Sequence, residues 1–423
     1  MGDEKSLFAG LDLCRTEAQL TWFDERKMEP ESLRVSGEAA AAAGEYLIPM
    51  VLAVKPGNKE WLFGQEAVRA DDKAVKIDRL IERILTGEGF EQEGMSFSPE
   101  FLLERYLRKV LSILKGKFPN QTITRLTVTT EDSQPVLISA VYRVLQMLGI
   151  GRDRALVQSH SQSFMHYTLN QPKDIWMNDV GLFELDRKGL MYYQLSINRR
   201  TVPMTAMITK EDLSATFGYD LIEDRLPPEQ LDYIFDNLAR SVLHKKIVST
   251  LYITGKGFEG TWADETLKAL CVGRRVFKGQ NLYAKGACYA ARELWKKSGP
   301  DYILLDEEML PASVKVRLYT DARMTDYVLV QAGTPWYEAS NQICVILDDT
   351  KEFEFIISNP MKKESVHQVM TLDGFYERGN KLTKLSLSIH FLDRITAVIT
   401  VRDIGFGEFA PSRHRIWEQQ LLI

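Results

Sequence analysis

Four cysteines in 423 residues, Cys14, Cys271, Cys288 and Cys344, are too few and too unevenly spaced for a disulfide framework. Such thiols suit a reducing compartment, so the expected location is cytoplasmic. Long apolar runs are missing too. None approaches the roughly 20 residues of a membrane span, and the start MGDEKSLFAGLDL lacks the basic-then-apolar order of a secretory leader. Gly2 with Ser6, and Asn120-Gln121-Thr122, fit loose lipidation and glycosylation patterns and are discounted on the same grounds. There is no excess of positive charge: the net charge of −5 provides no overall field for nucleic acid or an anionic membrane. No Walker loop, serine-hydrolase elbow or zinc motif occurs. His160 and His166 lie on one helix-like stretch without a cysteine or carboxylate at ligand spacing, which predicts structural roles and no metal centre.

What is present reads as an ordinary globular chain of two to three domains, 45% hydrophobic and 26% charged. Leu7–Leu13 is an apolar strand entering a turn at Cys14-Arg15-Thr16, and Ala18–Phe23 alternates like its hairpin partner. Pro30–Glu45 has no period and reads as a surface excursion. Tyr46–Val54 and Glu60–Phe63 are further strands about a Pro56-Gly57-Asn58 turn. Ser98 and Pro99 start a helix whose apolar residues recur at helical spacing through Leu114; Thr122–Thr129 is a strand and Pro135–Leu148 a second helix. Val180–Leu185 and Leu190–Ile197 form a hairpin with Asp186-Arg187-Lys188-Gly189 at its tip. Pro227–Val242 is helical and leads into Thr250–Phe258, TLYITGKGF, an apolar strand ending in a turn where Gly255 and Gly257 flank Lys256. At the carboxyl end of a parallel strand such a turn is a usual ligand position. A plain turn that needs two glycines to bend is the other reading, and the segment alone does not separate them.

After Lys297 no long helical pattern appears beyond Val314. Short alternating runs take over: Val314–Leu318, Asp326–Val330, Ile343–Leu347, Glu352–Ile357, Leu385–Phe391 and Ala397–Val401. In the fifth, Leu385, Leu387, Ile389 and Phe391 face one way and Ser386, Ser388 and His390 the other, the signature of a half-buried antiparallel strand. Several together predict a β-sandwich. The connector Ile303-Leu304-Leu305-Asp306 is apolar, which predicts that it docks on something.

In this order the segments resemble the seventy-kilodalton heat-shock chaperone family. GLDLCRT at Gly10–Thr16 resembles that family's first phosphate loop, and Ile48–Arg69 the segment after it. LTVTTEDSQPVLISAVYRVLQMLGI at Leu126–Ile150 resembles the strand and helix around an Asp-Ser-Gln, and TGKGF with GQNLYAKGACYAA the adenosine-binding strand and closing helix. ILLD resembles the interdomain linker, and Tyr327–Ala339 and Thr371–Asp403 resemble parts of the peptide-binding sandwich. The resemblance implies an actin-like (ribonuclease H-like) α/β nucleotide-binding-type domain over 1–298 with a reduced second lobe, a linker over 299–311, and an all-β sandwich over 312–423 without a helical lid.

It also implies ATP or ADP with Mg²⁺ as cofactor, with Asp12, Arg15, Thr16, Glu184, Arg187, Lys188, Gly255, Lys256, Gly257 and Phe258 around the nucleotide. The departures from the family pattern argue against hydrolysis, and no residue is assigned a catalytic role. Asp12 is kept, but Cys14 and Arg15 stand where glycine and threonine are expected, Asp78 where a lysine is expected, and Ser159 near the expected glutamate. Glu184 replaces an aspartate and Asp186-Arg187-Lys188 a glycine triad, so side chains fill volume that phosphates need. Arg15, Arg187 and Lys188 read as a solvated tip, with a cationic anion nest as the rival. The expected function is a chaperone-like pseudo-ATPase that binds an extended peptide or protein, with Leu318, Tyr319, Ile343 and Val345 near the sandwich rim as the peptide-facing residues. An active ATPase with rebuilt loops and an actin-like assembly protein are the alternatives.

Overall fold

The structure, a computed structural model, describes residues 6–35, 46–55, 60–71, 73–92, 94–293, 295, 302–348, 350–362, 365–375, 378–379 and 381–423. The turn at Pro56-Gly57-Asn58, the excursion beyond residue 35 and the start of the connector at Gly299-Pro300 lie outside them. The chain forms two compact units, one of residues 1–195 and 210–300 and one of residues 196–209 and 301–423.

In the first unit Leu7–Leu13 is buried at every position, as a strand covered on both faces must be. It pairs in parallel with Ile123–Thr130 and antiparallel with Glu17–Asp24. The sheet runs Ala155–Ser159, Ile123–Thr130, Leu7–Leu13, Glu17–Asp24, Glu29–Ser32. The last strand falls within the expected excursion: Pro30 pairs with Phe23 on a sheet edge, where proline's missing N–H is tolerated. A second sheet repeats the pattern. Arg275–Lys278 and Val248–Thr254 are parallel neighbours, Val248–Thr254 is parallel to Asp179–Asp186, and Asp179–Asp186 forms a hairpin with Gly189–Asn198. Each sheet thus has a central strand flanked by two parallel strands on one side and its own antiparallel hairpin partner on the other.

Helices cover these sheets as their periods predict. Ser98 Oγ accepts from the Phe101 N–H at 3.2 Å to cap Pro99–Lys117, whose Leu103, Leu107, Val110 and Leu114 are buried. Pro228–Leu243 buries Leu231, Phe235, Ala239 and Val242 at spacings of four, four and three. The helices His160–Leu169 and Leu282–Glu293 pack directly on one another, and glycine permits it. A Cβ on Gly286 would stand 2.6 Å from the carbonyl carbon of Ser163.

The second unit is all-β. One antiparallel sheet runs Arg323–Val330, Ser313–Thr320, Glu352–Ser358, Ser365–Thr371; the other runs Asn341–Ile346, Lys384–Phe391, Thr396–Asp403, Ile416–Leu422. Their inner faces share a core that contains Val314, Val316, Phe355, Leu385, Leu387, Ile389 and Val401. Ser365–Thr371 and Ile416–Leu422 were not expected as strands. Both are edge strands with mostly exposed side chains, so little apolar alternation marks them.

The expected linker is itself a strand. Tyr302–Leu305 pairs in parallel with Met204–Met207, Ile303 and Leu305 join Met309 and Ala332 in a small core, and Asp306 is fully buried. Residues 196–209, which include the start of this partner strand, group with the second unit. Among the described residues no helix is long and apolar enough to cross a membrane.

Candidate functional site

The carboxyl ends of the parallel strands in the first unit open on one cavity of about 480 Å³, a size typical of small-molecule sites. Strand Leu7–Leu13 delivers Asp12, and the turn after it Cys14, Arg15 and Thr16. Glu131 follows Ile123–Thr130, and His160 follows Ala155–Ser159. Glu184 and Asp186 end Asp179–Asp186, with Arg187 and Lys188 in the two-residue hairpin turn. Thr254, Gly255 and Lys256 end Val248–Thr254; Gln280 and Tyr283 come from the last helix and its approach, and Tyr219 and Glu259 complete that side.

Eight of the ten residues expected around a nucleotide therefore line one cavity. The other two stand behind it. Phe258 is fully buried against Phe235 at 5.1 Å and stacks on Trp262 at 5.5 Å, and a Cβ on Gly257 would stand 2.6 Å from Leu185 Cδ2. Gly255 has φ 96°, and a Cβ there would crowd the Leu185 backbone at 2.8 Å. The two glycines are thus explained by close packing, and only the first borders the cavity. Asp78 lies outside this cavity, beside a smaller surface concavity; Glu82, four residues later, reaches the larger one. Ser159 accepts from the Gln162 N–H at 3.2 Å and caps the following helix.

Charge decides what the cavity accepts. Its wall carries Asp12, Glu17, Glu82, Glu131, Glu184, Asp186 and Glu259 against Arg15, Arg187, Lys188 and Lys256. Arg15 donates to Asp132 Oδ2 at 2.6 Å and to Glu82 Oε1 at 3.1 Å, and its Nε lies 3.7 Å from Glu131 Oε2. Lys188 Nζ lies 3.6 Å from both Glu131 and Asp132, and Lys256 pairs with Glu17. Glu131 and Asp132 thus stand between the two turns that resemble phosphate loops and bind a cation from each. At Arg15 and Lys188 the rival reading, an anion nest, is already supplied with anions by the chain itself. A nucleotide triphosphate with Mg²⁺ does not fit this arrangement as it stands: its phosphates would have to displace Glu131 and Asp132 from Arg15 and Lys188.

Deeper in the wall His160 is buried between carboxylates. Its Nε2 lies 2.8 Å from Asp12 Oδ1 and its Nδ1 4.0 Å from Glu184 Oε1; the ring stacks on Tyr283 with centroids 3.8 Å apart. Burial alone would lower the His160 pKa, but Asp12, with Glu184 and Glu131 beyond it, raises it above the ordinary value. Burial, with Asp186 nearby, pushes Glu184 up to about 7 against the opposing pull of His160, while the Tyr193 hydroxyl donates to its Oε2 at 2.9 Å. Burial likewise raises Glu131 and Glu17, opposed in the first by His160 and Lys188 and in the second by Lys256. Desolvation, with Asp12 next to it, raises the half-buried Cys14 thiol well above its usual value, so it is no activated nucleophile.

The structural role expected for His166 agrees with its place: it bonds Glu293 at 2.9 Å away from the cavity. His160 lines the cavity. Asp12, Cys14 and His160 each bring a donor atom within 4.8 Å of the others, a convergence of separate elements that spacing along one helix does not show. Glu131, Asp132 and His160 directly follow strand carboxyl ends, so the general rule for ligand position pointed to them. Glu17, Glu82, Gln280 and Tyr283 had no such signal.

In the second unit Leu318, Ile343 and Val345 are partly buried and pack against the sandwich core. Tyr319 is 65% exposed and pairs across strands with Met324, 61% exposed.

No curated protein matches the chain. Residues 309–423 match the model of a domain of unknown function, DUF8552. Residues 29–307, well over half of the sequence, match the model described as the C-terminal part of the family of unknown function DUF5716, and the chain belongs to that family.

Proposed function

We propose that the protein is a chaperone-related, actin-like pseudo-ATPase that works as a binding or adaptor module in the cytoplasm. The observation that carries this reading is the bridge of Glu131 and Asp132 between Arg15 and Lys188, which puts the chain's own carboxylates where the resemblance implies phosphates. The repeated strand order of the first unit supports the actin-like assignment: two sheets, each a central strand with parallel neighbours on one side and a hairpin on the other, with a cavity at the strands' carboxyl ends. Free cysteines support a reducing compartment.

The sandwich is the binding half. Its edge strand Arg323–Val330 carries exposed Met324, Tyr327 and Val328 beside Tyr319, apolar contacts for an extended segment that adds to the sheet through its backbone. Without hydrolysis the module holds its partner by mass action.

Phosphate release from Mg²⁺ and ATP is the direct test, with thermal melting at millimolar ATP and ADP beside it. No release and a flat melting response are expected, since a ligand at a hundredfold excess over its dissociation constant would add about 2.7 kcal/mol of stability. Turnover that disappears in Asp12→Ala would overturn the proposal.

A further inference from the structure

We propose that Asp12, Cys14 and His160 form a binding site for a zinc-class divalent metal ion in the wall of the cavity. Asp12 Oδ1 lies 2.8 Å from His160 Nε2 and 3.4 Å from Cys14 Sγ, and donor atoms from all three residues fall within 4.8 Å of one another. Zinc bonds of about 2.0–2.3 Å in tetrahedral geometry place neighbouring donors roughly 3.3–3.7 Å apart, so modest side-chain adjustment seats the ion. On binding, the Cys14 thiol gives up its proton to solvent, His160 gives up the proton on Nε2 and carries its one remaining proton on Nδ1, and metal bonds replace the hydrogen bonds that Asp12 now accepts.

The donor types choose the metal. A thiolate, an imidazole and one carboxylate favour zinc and its neighbours, whereas Mg²⁺ and Ca²⁺ prefer oxygen ligands throughout. Three protein ligands leave a fourth position for water or an exchangeable ligand on the cavity side.

Two further features of the wall point the same way. Glu184 Oε1 lies 4.0 Å from His160 Nδ1, within ion-pair reach but short of a hydrogen bond, and its carboxylate is held by Tyr193, while Tyr283 fixes the ring by stacking. A carboxylate on the far nitrogen is the usual support of a metal-bound histidine and turns Nε2 toward the ion. Gln19 is the cross-strand partner of Asp12 and lines the same cavity, and its buried Oε1 has no hydrogen-bond partner. A metal-bound water would supply the missing donor. None of this requires a nucleotide, and the site stands or falls apart from the pseudo-ATPase reading.

Cobalt titration of the full chain after chelator treatment tests the proposal without nucleotide present. One equivalent of Co²⁺ is expected to give a thiolate charge-transfer band and the visible bands of tetrahedral cobalt, both removed by one equivalent of Zn²⁺. Cys14→Ser should abolish the charge-transfer band and Cys344→Ser should keep it. Glu184→Gln, which leaves all three ligands in place, should weaken Co²⁺ binding about tenfold or more, and covers the case in which Cys14→Ser does not fold. Absence of the band in the wild-type chain, its persistence in Cys14→Ser, or unchanged affinity in Glu184→Gln would overturn the assignment.

Discussion

Replacing Gly286 by alanine should destabilise the first unit, although alanine is the better helix former. Gly286 lies inside the helix Leu282–Glu293, and the added methyl would meet the Ser163 carbonyl carbon at 2.6 Å, with the carbonyl oxygen closer still. An ordinary contact is about 3.4 Å, so the two helices would have to part by roughly 1 Å. A gap of 0.5–1 Å already forfeits about a quarter to a half of the dispersion energy across an interface. Ser163 cannot readily yield, because its hydroxyl donates to Thr129 and accepts from Gln158, both at 2.7 Å. Overpacking of this kind costs about 1–3 kcal/mol or more, against a propensity gain of about 1 kcal/mol. Gly116→Ala is the internal control. Gly116 sits in the helix Pro99–Lys117 with nothing within 4 Å of its added Cβ, so only the propensity gain remains. Urea unfolding followed by circular dichroism should show the midpoint falling for Gly286→Ala and rising for Gly116→Ala. A Gly286→Ala protein as stable as the wild type would refute the close helix crossing.

Two further outcomes concern the sandwich. Burial works against the charged form of Asp403, but Arg378 and the N–H groups of Arg413 and Gly405 outweigh it and hold the carboxyl below its usual range. A depressed folded pKa gives stability that is present above the unfolded value of about 3.9 and lost as pH falls through the folded one, so the thermal midpoint should drop below about pH 4. That acid sensitivity should shrink in Asp403→Asn, and equal pH profiles for the two proteins would contradict the pairing. Ile343→Ala should cost about 2 kcal/mol, less than for a fully buried site, while Tyr319→Ala should stay within about 0.5 kcal/mol in denaturant melts; the reverse order would mean that strand facing is misassigned.

Much of the fold was legible because its elements announce themselves locally. Ser98-Pro99 starts a helix by chemistry that acts within one turn, and Leu385–Phe391 declares its buried face by alternation alone. Elements whose identity depends on neighbours were not legible. Glu29–Ser32, Ser365–Thr371 and Ile416–Leu422 are edge strands defined by what they pair with rather than by what they bury. The apolar connector was expected to dock, but its place beside Met204–Met207, about a hundred residues earlier, is a long-range pairing that no local pattern encodes.

The same division runs through the site. The order of residues in the chain, by itself, determined which side chains end the strands: Asp12, Cys14, Arg15, Glu184, Arg187, Lys188 and the TGKGF turn. It also determined that side chains other than glycine stand at Cys14-Arg15 and Asp186-Arg187-Lys188. Only the tertiary structure decided how those charges are used. Arg15 and Lys188 lie more than 170 residues apart and meet through Glu131 and Asp132, and His160 meets Asp12 from a different strand end. Coulomb energy and metal coordination depend on distance in space, not along the chain. The sequence therefore states the charges present, and folding determines which of them remain for a ligand.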